Sequence, residues 1–384
     1  MTTPSRSAGS ADVLDRRALG RATLDRQLLL ARASTDTLAV VERLVGLQAQ
    51  APFSPYYGLW SRIAGFAPDD LVAPLQDRRV VRIGLMRGTV HLVTADDALW
   101  LRPLTQPIYE RRITTSSPSA PALRGIDRDR VAAVARAAVE ESPLTNPELE
   151  PILAAEWPDR DAGALVAAAR ALLPLVQVPP RAVWGRSGQT RVTTVEAWLG
   201  RPQAPAPPAA PTAADAARLV ERYLAAFGPA SVADVQVWSG LTRLREVVEG
   251  IADRLRPFRD DDGRALWDLP DAPRPGPGGD APVRYLPEFD NLLRSHDDRS
   301  RVMDDDHRKR LKTPNGVPPH TFLVDGLVAG TWRLTESGGS AVLDVRPFGP
   351  LSRADADAVA HEGGRLLAFA APAATPDLRL HPPG

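Results

Sequence analysis

One order of elements recurs three times along this chain: amphipathic helices, then two short β-rich stretches around a turn. Helix periodicity brings apolar residues to one face every three or four positions, whereas strands alternate. In the first set, Thr23 to Ala33 reads as a helix with Leu24, Leu28 and Leu29 inward. Ser34 or Thr35 can cap the next helix, which carries Leu38, Val41, Leu44 and Val45. Tyr56 to Ile63 and Pro68 to Leu75 add helical pieces, and Val80 to Leu85 and Thr89 to Thr94 read as strands around Met86-Arg87-Gly88. In the second set, Asp127 caps Arg128 to Glu140, and Thr145 with Glu148 forms a capping box. Asp161 to Leu173 is its third helix. Strands at 175–178 and 191–194 then flank Pro180 to Gly188, a wing tip. The third set runs through Thr212 to Phe227, Ser231 to Trp238 and Thr242 to Leu255, with strands near 256–258 and 265–267. The three stretches of sequence are not alike, so what repeats is the pattern of elements.

Helices followed by a two-stranded hairpin make a helix-turn-helix with a wing. The expected fold is therefore α+β and mainly helical: three tandem winged-helix domains with a small C-terminal α+β appendage. The expected divisions are a disordered N-terminus at 1–12, a first winged helix at 13–115, a second at 125–200, and a Pro/Ala linker at 201–211. A third winged helix at 212–270, an α+β segment at 283–371 and a disordered tail at 372–384 complete the chain. In that last segment Thr321 to Val324, Leu327 to Leu334 and Ala341 to Val345 alternate as strands. The turns Asp325-Gly326 and Gly338-Gly339 are hairpin signals, and Arg353 to Phe369 is a closing helix.

Composition excludes several kinds of chemistry. The chain of 384 residues contains no cysteine, which removes disulfides, iron–sulfur clusters and cysteine-ligated zinc. Its 6 histidines are scattered, with no ligand spacing, so no metal site is expected. The 47 basic and 47 acidic residues cancel, so any nucleic-acid surface must come from local clustering. Lys309 and Lys312 are the only lysines; the other cations are arginines, whose forked guanidinium suits phosphate. The start of the chain is polar, and no apolar run approaches the length of a membrane span. A soluble, cytoplasmic monomer with no membrane contact is expected.

The stretch Gly46-Leu47-Gln48-Ala49-Gln50-Ala51-Pro52 is the strongest candidate for a site. Pro52 disfavours helix at the residue before it, which places the end of the preceding helix near Gln48 to Gln50. In an extended segment, residues two apart point to one side, so Gln48 and Gln50 can present two neutral amides to one target. Each amide is both acceptor and donor, and its charge does not change with pH.

That stretch, together with Arg87-Gly88-Thr89-Val90-His91-Leu92-Val93-Thr94 and the phrase from Leu286 to Arg299, resembles the winged-helix DNA glycosylases that unhook DNA crosslinks. The resemblance runs from about Leu14 to about Ala371 and is closest to the azinomycin-resistance branch. Its most specific element is the glutamine-apolar-glutamine motif; a sister branch carries aspartate where this chain has Gln50. The resemblance implies hydrolysis of the N-glycosidic bond of purines alkylated at N7 or N3, including bulky adducts and interstrand crosslinks. The partner is double-stranded DNA carrying such purines, and no cofactor is implied. An alkylated purine is already cationic, so it leaves without a strong general acid. Amide oxygens can stabilise the oxocarbenium-like sugar and hold the attacking water, roles that fall by resemblance to Gln48 and Gln50. The scarcity of lysine argues against a Schiff-base lyase step. The competing function is a non-catalytic winged-helix DNA-binding protein such as a transcription regulator, which would ordinarily dimerise through a long helix not evident here.

Further candidates for DNA contact are Arg87, Thr89 and His91 beside the motif, with His91 alternatively a histidine hydrogen-bonded within the sheet. Arg181, Arg186 and Arg191 on the second wing could track phosphates. Asn291, His296 and Arg299 could touch DNA or, with Asp290, tie the C-terminal segment to the third set. Tyr56, Tyr57 and Trp60 read as core or as a stacking platform.

Overall fold

A computed structural model describes residues 12–116, 119–201, 212–314 and 316–384. The expected Pro/Ala linker lies almost wholly outside these residues, as does the N-terminus up to residue 11. The architecture is mixed α+β.

The first stretch holds β1 (Asp12–Leu14), α1 (Arg16–Arg26), α2 (Thr37–Arg43), β2 (Leu47–Gln48), α3 (Ser54–Trp60), α4 (Asp69–Gln76), β3 (Val80–Gly84), β4 (Val90–Thr94) and α5 (Ala95–Arg111). Asp15 and Asp36 cap α1 and α2 by accepting from the backbone N–H three residues on. Asp36 thus takes the place expected for Ser34 or Thr35, and α1 begins and ends earlier than its apolar pattern suggests. The second stretch holds α6 (Arg128–Glu141), α7 (Asn146–Glu156), α8 (Ala162–Leu172), β5 (Leu175–Gln177), β6 (Val192–Thr194) and α9 (Val195–Leu199). Asp127, the Thr145–Glu148 box and Asp161 start its three main helices as expected. The third holds α10 (Ala213–Phe227), α11 (Val232–Ser239), α12 (Leu244–Gly250), β7 (Arg256–Asp260) and β8 (Ala265–Asp268). The last holds β9 (Arg284–Leu286), α13 (Asp305–Arg310), β10 (His320–Val324), β11 (Leu327–Ser337), β12 (Ser340–Pro347), α14 (Arg353–Ala370) and β13 (Thr375–Leu380).

The stretches are stitched together by their sheets. The first two hairpins form one five-stranded sheet in the order β2-β4-β3-β5-β6. The seam is β3 against β5, where Arg82 faces Gln177 and Ile83 faces Val176. The second wing is therefore no free hairpin. Its loop is seated instead: Tyr56 Oη donates to Ala182 O at 2.8 Å, and the Trp184 ring packs on Tyr56, Tyr57 and Phe369. One apolar cluster runs from Val45 and Ile83 through Val131 and Leu165 to Tyr223 and Trp238, crossing all three helical stretches.

Both ends of the chain depart from expectation. Asp12 is in β1, which pairs parallel with β7 and so joins the N-terminal stretch to the third. Residues 375–380 are not a disordered tail; they pair parallel with β12 at the edge of a second five-stranded sheet, β13-β12-β11-β10-β9. A parallel partner lies far off in sequence, so no hairpin turn announces either strand. The turns at Asp325-Gly326 and Gly338-Gly339 do form, each with both residues at positive φ.

Two buried ion pairs clamp these parts. Arg26 Nη1 and Nη2 fork onto Asp268 at 2.7 and 2.8 Å, with both side chains 0% exposed. Arg62 forks onto Asp290 at 2.8 and 2.9 Å. Removing one member of such a pair strands a charge without water. Asp290→Ala is therefore expected to cost about 3–5 kcal/mol in urea unfolding. Asp306→Ala, which breaks only the exposed Lys309 pair, is the control and should leave the unfolding midpoint in place.

Candidate active site

The glutamine motif lies on an edge strand, not at the end of a helix. Helix α2 stops at Arg43, and Val45 and Gly46 then take left-handed φ values of 54° and 88°. This reversal turns the chain into β2, where Leu47 pairs with Leu92 and Gln48 with His91. Position 46 must be glycine twice over: its φ is positive, and a Cβ there would lie 2.5 Å from Val93 Cγ1 and 2.8 Å from Leu92 O. The correction follows from that turn, since a glycine just past a helix end is the usual left-handed cap.

Each bond around the motif holds it in place. Ala49 N–H donates to Val90 O at 2.8 Å, and Arg82 Nη2 donates to Ala49 O at 2.7 Å. Asn291 bridges from the C-terminal segment: its Oδ1 accepts from Gln48 N at 3.3 Å and its Nδ2 donates to Gly46 O at 2.7 Å. The Gln48 side chain is buried, and its Oε1 accepts from Arg87 Nη2 at 2.8 Å. Gln50 is exposed, and its Oε1 accepts from Val90 N at 3.3 Å. Both amides are thus anchored on one short turn between β3 and β4, one on Arg87 and the other on Val90. Each carbonyl keeps a second lone pair, and neither amide nitrogen makes a hydrogen bond among the described residues.

The turn itself is braced by the third stretch. Arg87 sits at φ 55°, and its Nη1 donates to Trp238 O at 2.5 Å. Gly240, at positive φ, lets the backbones approach: a Cβ there would lie 3.0 Å from Arg87 N and Cα. Burial, and then the guanidinium groups of Arg294 and Arg299, push the Arg87 pKa down to about 10, which leaves it charged at neutral pH. His91 is buried, with Nδ1 3.0 Å from Thr89 O; a carbonyl only accepts, so Nδ1 carries the proton. Thr89 Oγ1 donates to Met86 O at 3.1 Å and closes the turn. Among the described residues no cluster of His, Asp or Glu could hold a metal ion. The site offers two neutral amides and two cations, Arg82 and Arg87, and Asp290, on the neighbouring segment, is spent on Arg62.

Other candidate residues fall in different places. His91 belongs to the sheet, the second of its two readings. Asn291 and His296 are buried and offer no surface to DNA; they tie the segment after β9 to the first and third stretches, His296 Nε2 lying 3.0 Å from Phe227 O. Arg299 is half-buried beside Arg87 and Arg294. On the second wing Arg186 is exposed, but Arg191 forks between Pro143 O and Glu148, and Arg181 donates to Gly188 O at 3.1 Å. These three arginines therefore do not form one free basic patch. Tyr56 and Trp60 are core residues. Sequence reasoning missed Arg82 and Trp238. Arg82 had a signal: a lone arginine between Val80, Val81 and Ile83 in a strand is destined for burial.

The histidine in the sheet makes the site acid-sensitive. Burial, then the nearby Arg87 charge, push the His91 pKa from 6.5 down to about 3. The folded form therefore binds its proton less readily than the unfolded chain. The stability this contributes is complete above about pH 6.5 and is lost as pH falls toward 3, at about 1.4 kcal/mol per pH unit. Urea titrations between pH 7.5 and 4.5 should show this slope in the wild type, reduced by about one proton in His91→Gln. Equal slopes would count against a neutral buried histidine.

The AlkZ-like DNA glycosylase family model matches residues 41–369, which is most of the chain. Among solved structures, the chain is similar to the DNA glycosylase AlkZ of Streptomyces sahachiroi, with a TM-score of 0.78 and 21% identity over 96% of this chain and 100% of that one. At that identity the likeness speaks for the fold. No curated protein matches the sequence significantly. The family match spans β2, the Arg87 turn and the segment that holds them, and on that extent the chain belongs to the AlkZ-like DNA glycosylase family.

Proposed function

We propose that this protein hydrolyses the N-glycosidic bond of N7- or N3-alkylated purines in double-stranded DNA, bulky adducts and interstrand crosslinks included, with Gln48 and Gln50 as its catalytic residues. The observation that carries this reading is the anchoring of both amides on the single turn from Arg87 to Val90. Catalytic groups that are held before substrate arrives need no reorganisation in the transition state. Water attacks C1′ of the sugar and the C1′–N bond breaks. The electron pair goes to the base, which leaves neutral because its alkyl group had made it cationic, and the water proton passes to solvent. No strong acid is required, which fits a site built on two neutral amides.

The two amides take different parts. Gln48 Oε1 already faces a guanidinium, which makes it a poor neighbour for a second cation. Gln50 Oε1 is held by a neutral N–H, so it is the better partner for the charged sugar, while Gln48 orients the water. Both lysines lie on or just after α13, Lys309 paired with Asp306, and neither makes a hydrogen bond or ion pair with Gln48, Gln50 or Arg87 among the described residues. The protein acts as a monofunctional hydrolase and as a monomer. The three helical stretches with their hairpins act as winged helices that bring DNA to the motif, with Arg87 and Arg299 and the exposed Arg186 as candidate phosphate contacts. Glutamine rather than aspartate at position 50 favours the branch that protects its host from a DNA-alkylating natural product.

The test is release of N7-methylguanine from a duplex. Gln48→Ala and Gln50→Ala should each slow single-turnover release by about 2–4 kcal/mol of barrier, roughly 30- to 1,000-fold. Gln48→Ala should also lower the unfolding midpoint, because it strands Arg87, whereas the exposed Gln50→Ala should not. Full release by the double variant would overturn the assignment of the two glutamines, whereas DNA binding without release by the wild type would return the protein to the regulator reading. Borohydride added during turnover should trap no covalent enzyme–DNA species; a stable adduct through Lys309, Lys312 or the N-terminal amine would overturn the hydrolytic assignment.

A further inference from the structure

Beside Gln50 a half-open cavity of about 800 Å³ lies between the first and second stretches. Its walls come from the turn after β3, the end of α5 with the residues that follow, α8 and β5; Gln50, Tyr109, Arg112, Ala167, Arg170 and Gln177 are among its lining residues. This is the size of a pocket that takes a drug-like molecule, and far more than a methyl group on a purine needs. Three features give it a chemistry. Arg102, Arg112 and Arg170 all line it, against the single carboxylate of Glu150. None of the three is neutralised: Arg102 donates to Gln106 Oε1 and to Ala171 O, Arg170 to Asn146 Oδ1 at 2.9 Å, and Arg112 to Arg87 O at 3.4 Å. Arg102 lies 4.2 Å above the Tyr109 ring, which makes an aromatic wall with a fixed cation on one face. Finally, the buried Oε1 of Gln177 has no hydrogen-bond partner. A buried polar atom left unpaired is costly, and a ligand hydroxyl or N–H can satisfy it.

We propose that this cavity is a subsite for the substituent of the alkylated base: a bulky, partly aromatic group rich in carbonyl or other acceptor oxygens enters it while the glycosidic bond meets Gln50. The inference rests on the glycosylase reading above and deepens it by naming where the substituent of a bulky adduct lodges and the acceptor chemistry that the place selects. It also gives the site a way to recognise a lesion by its adduct and not by a purine pocket. A purine tied to the opposite strand cannot be swung fully out of the duplex, but its substituent can still be engaged at one face.

The experiment compares three duplexes, each with one N7-substituted guanine: methyl, benzyl, and phenacyl, which adds a ketone to a phenyl ring. Wild type should release all three and favour phenacyl over benzyl. Ala167→Trp, which fills the cavity from α8, should lower the phenacyl-to-methyl ratio of kcat/KM by about tenfold or more while methyl release stays within twofold. Ala167→Leu is the milder version should the tryptophan variant fail to fold, and it should move the ratio the same way. Arg170→Leu should erase the preference for phenacyl over benzyl. An unchanged phenacyl-to-methyl ratio in a folded Ala167 variant would overturn the subsite. So would an equal loss on all three duplexes, the result expected if the cavity held a backbone phosphate. A phenacyl preference that survives Arg170→Leu would overturn the acceptor chemistry. Failure of the wild type on every duplex would instead sink the glycosylase reading itself.

Discussion

The buried fork between Arg62 and Asp290 determines where the segment after β9 crosses the first helical stretch. Asn291, the next residue, reaches Gly46 O and Gln48 N only because that crossing is fixed. Four residues further on, Ser295 O accepts from Tyr223 Oη at 2.6 Å, so the same segment also grips the third stretch. The third stretch in turn braces Arg87 through Trp238 O. A closed circuit results, in which the glutamine-bearing strand is held from the C-terminal side by Asn291 and from the third stretch by Arg87. A buried ion pair is often no better than an apolar substitute for stability, but it fixes one geometry, and here a whole site hangs from that geometry.

Most elements of this fold are legible in the residues because local chemistry names them. Aspartate, serine and threonine caps begin the helices, and Asp325-Gly326 and Gly338-Gly339 mark their hairpins. The seams between elements are not legible. The β3–β5 pairing, β1 on β7 and β13 on β12 join strands remote in sequence, and nothing local specifies them. The site was half readable. Gln48, Gln50 and the Arg87 turn could be picked out from residue types and spacing. The glutamines read as the end of a helix because Pro52 supplies the visible stop; the chain reverses earlier, at Val45 and Gly46, and a β-branched residue is an unusual occupant of a left-handed position. The arginine-rich second wing was read as an open loop, yet Ala182 and Trp184 dock it on Tyr56. Asn291 and His296 show the limit most plainly, since a polar residue's type does not tell whether its partner is DNA or the chain's own backbone.

The electrostatics of the site are unusual for hydrolysis. Nothing near the glutamines titrates in the neutral range: His91 is held neutral, Arg87 is held charged, and the amides do not ionise. A site of this kind suits a leaving group that carries its own activation. Under the proposed function an unmodified purine, whose departure needs a proton, would be refused by chemistry.

The apolar cluster that crosses the three helical stretches sets how the protein comes apart. Side chains from Ile83, Leu165 and Tyr223 belong to one continuous interior, and the sheet that carries Gln48 is shared by two of the stretches. No stretch keeps a private interior that would let it persist alone. Modules that look interchangeable in their order of elements have surrendered their autonomy: the strand that carries Gln48 depends on an interior that no excised module would take with it.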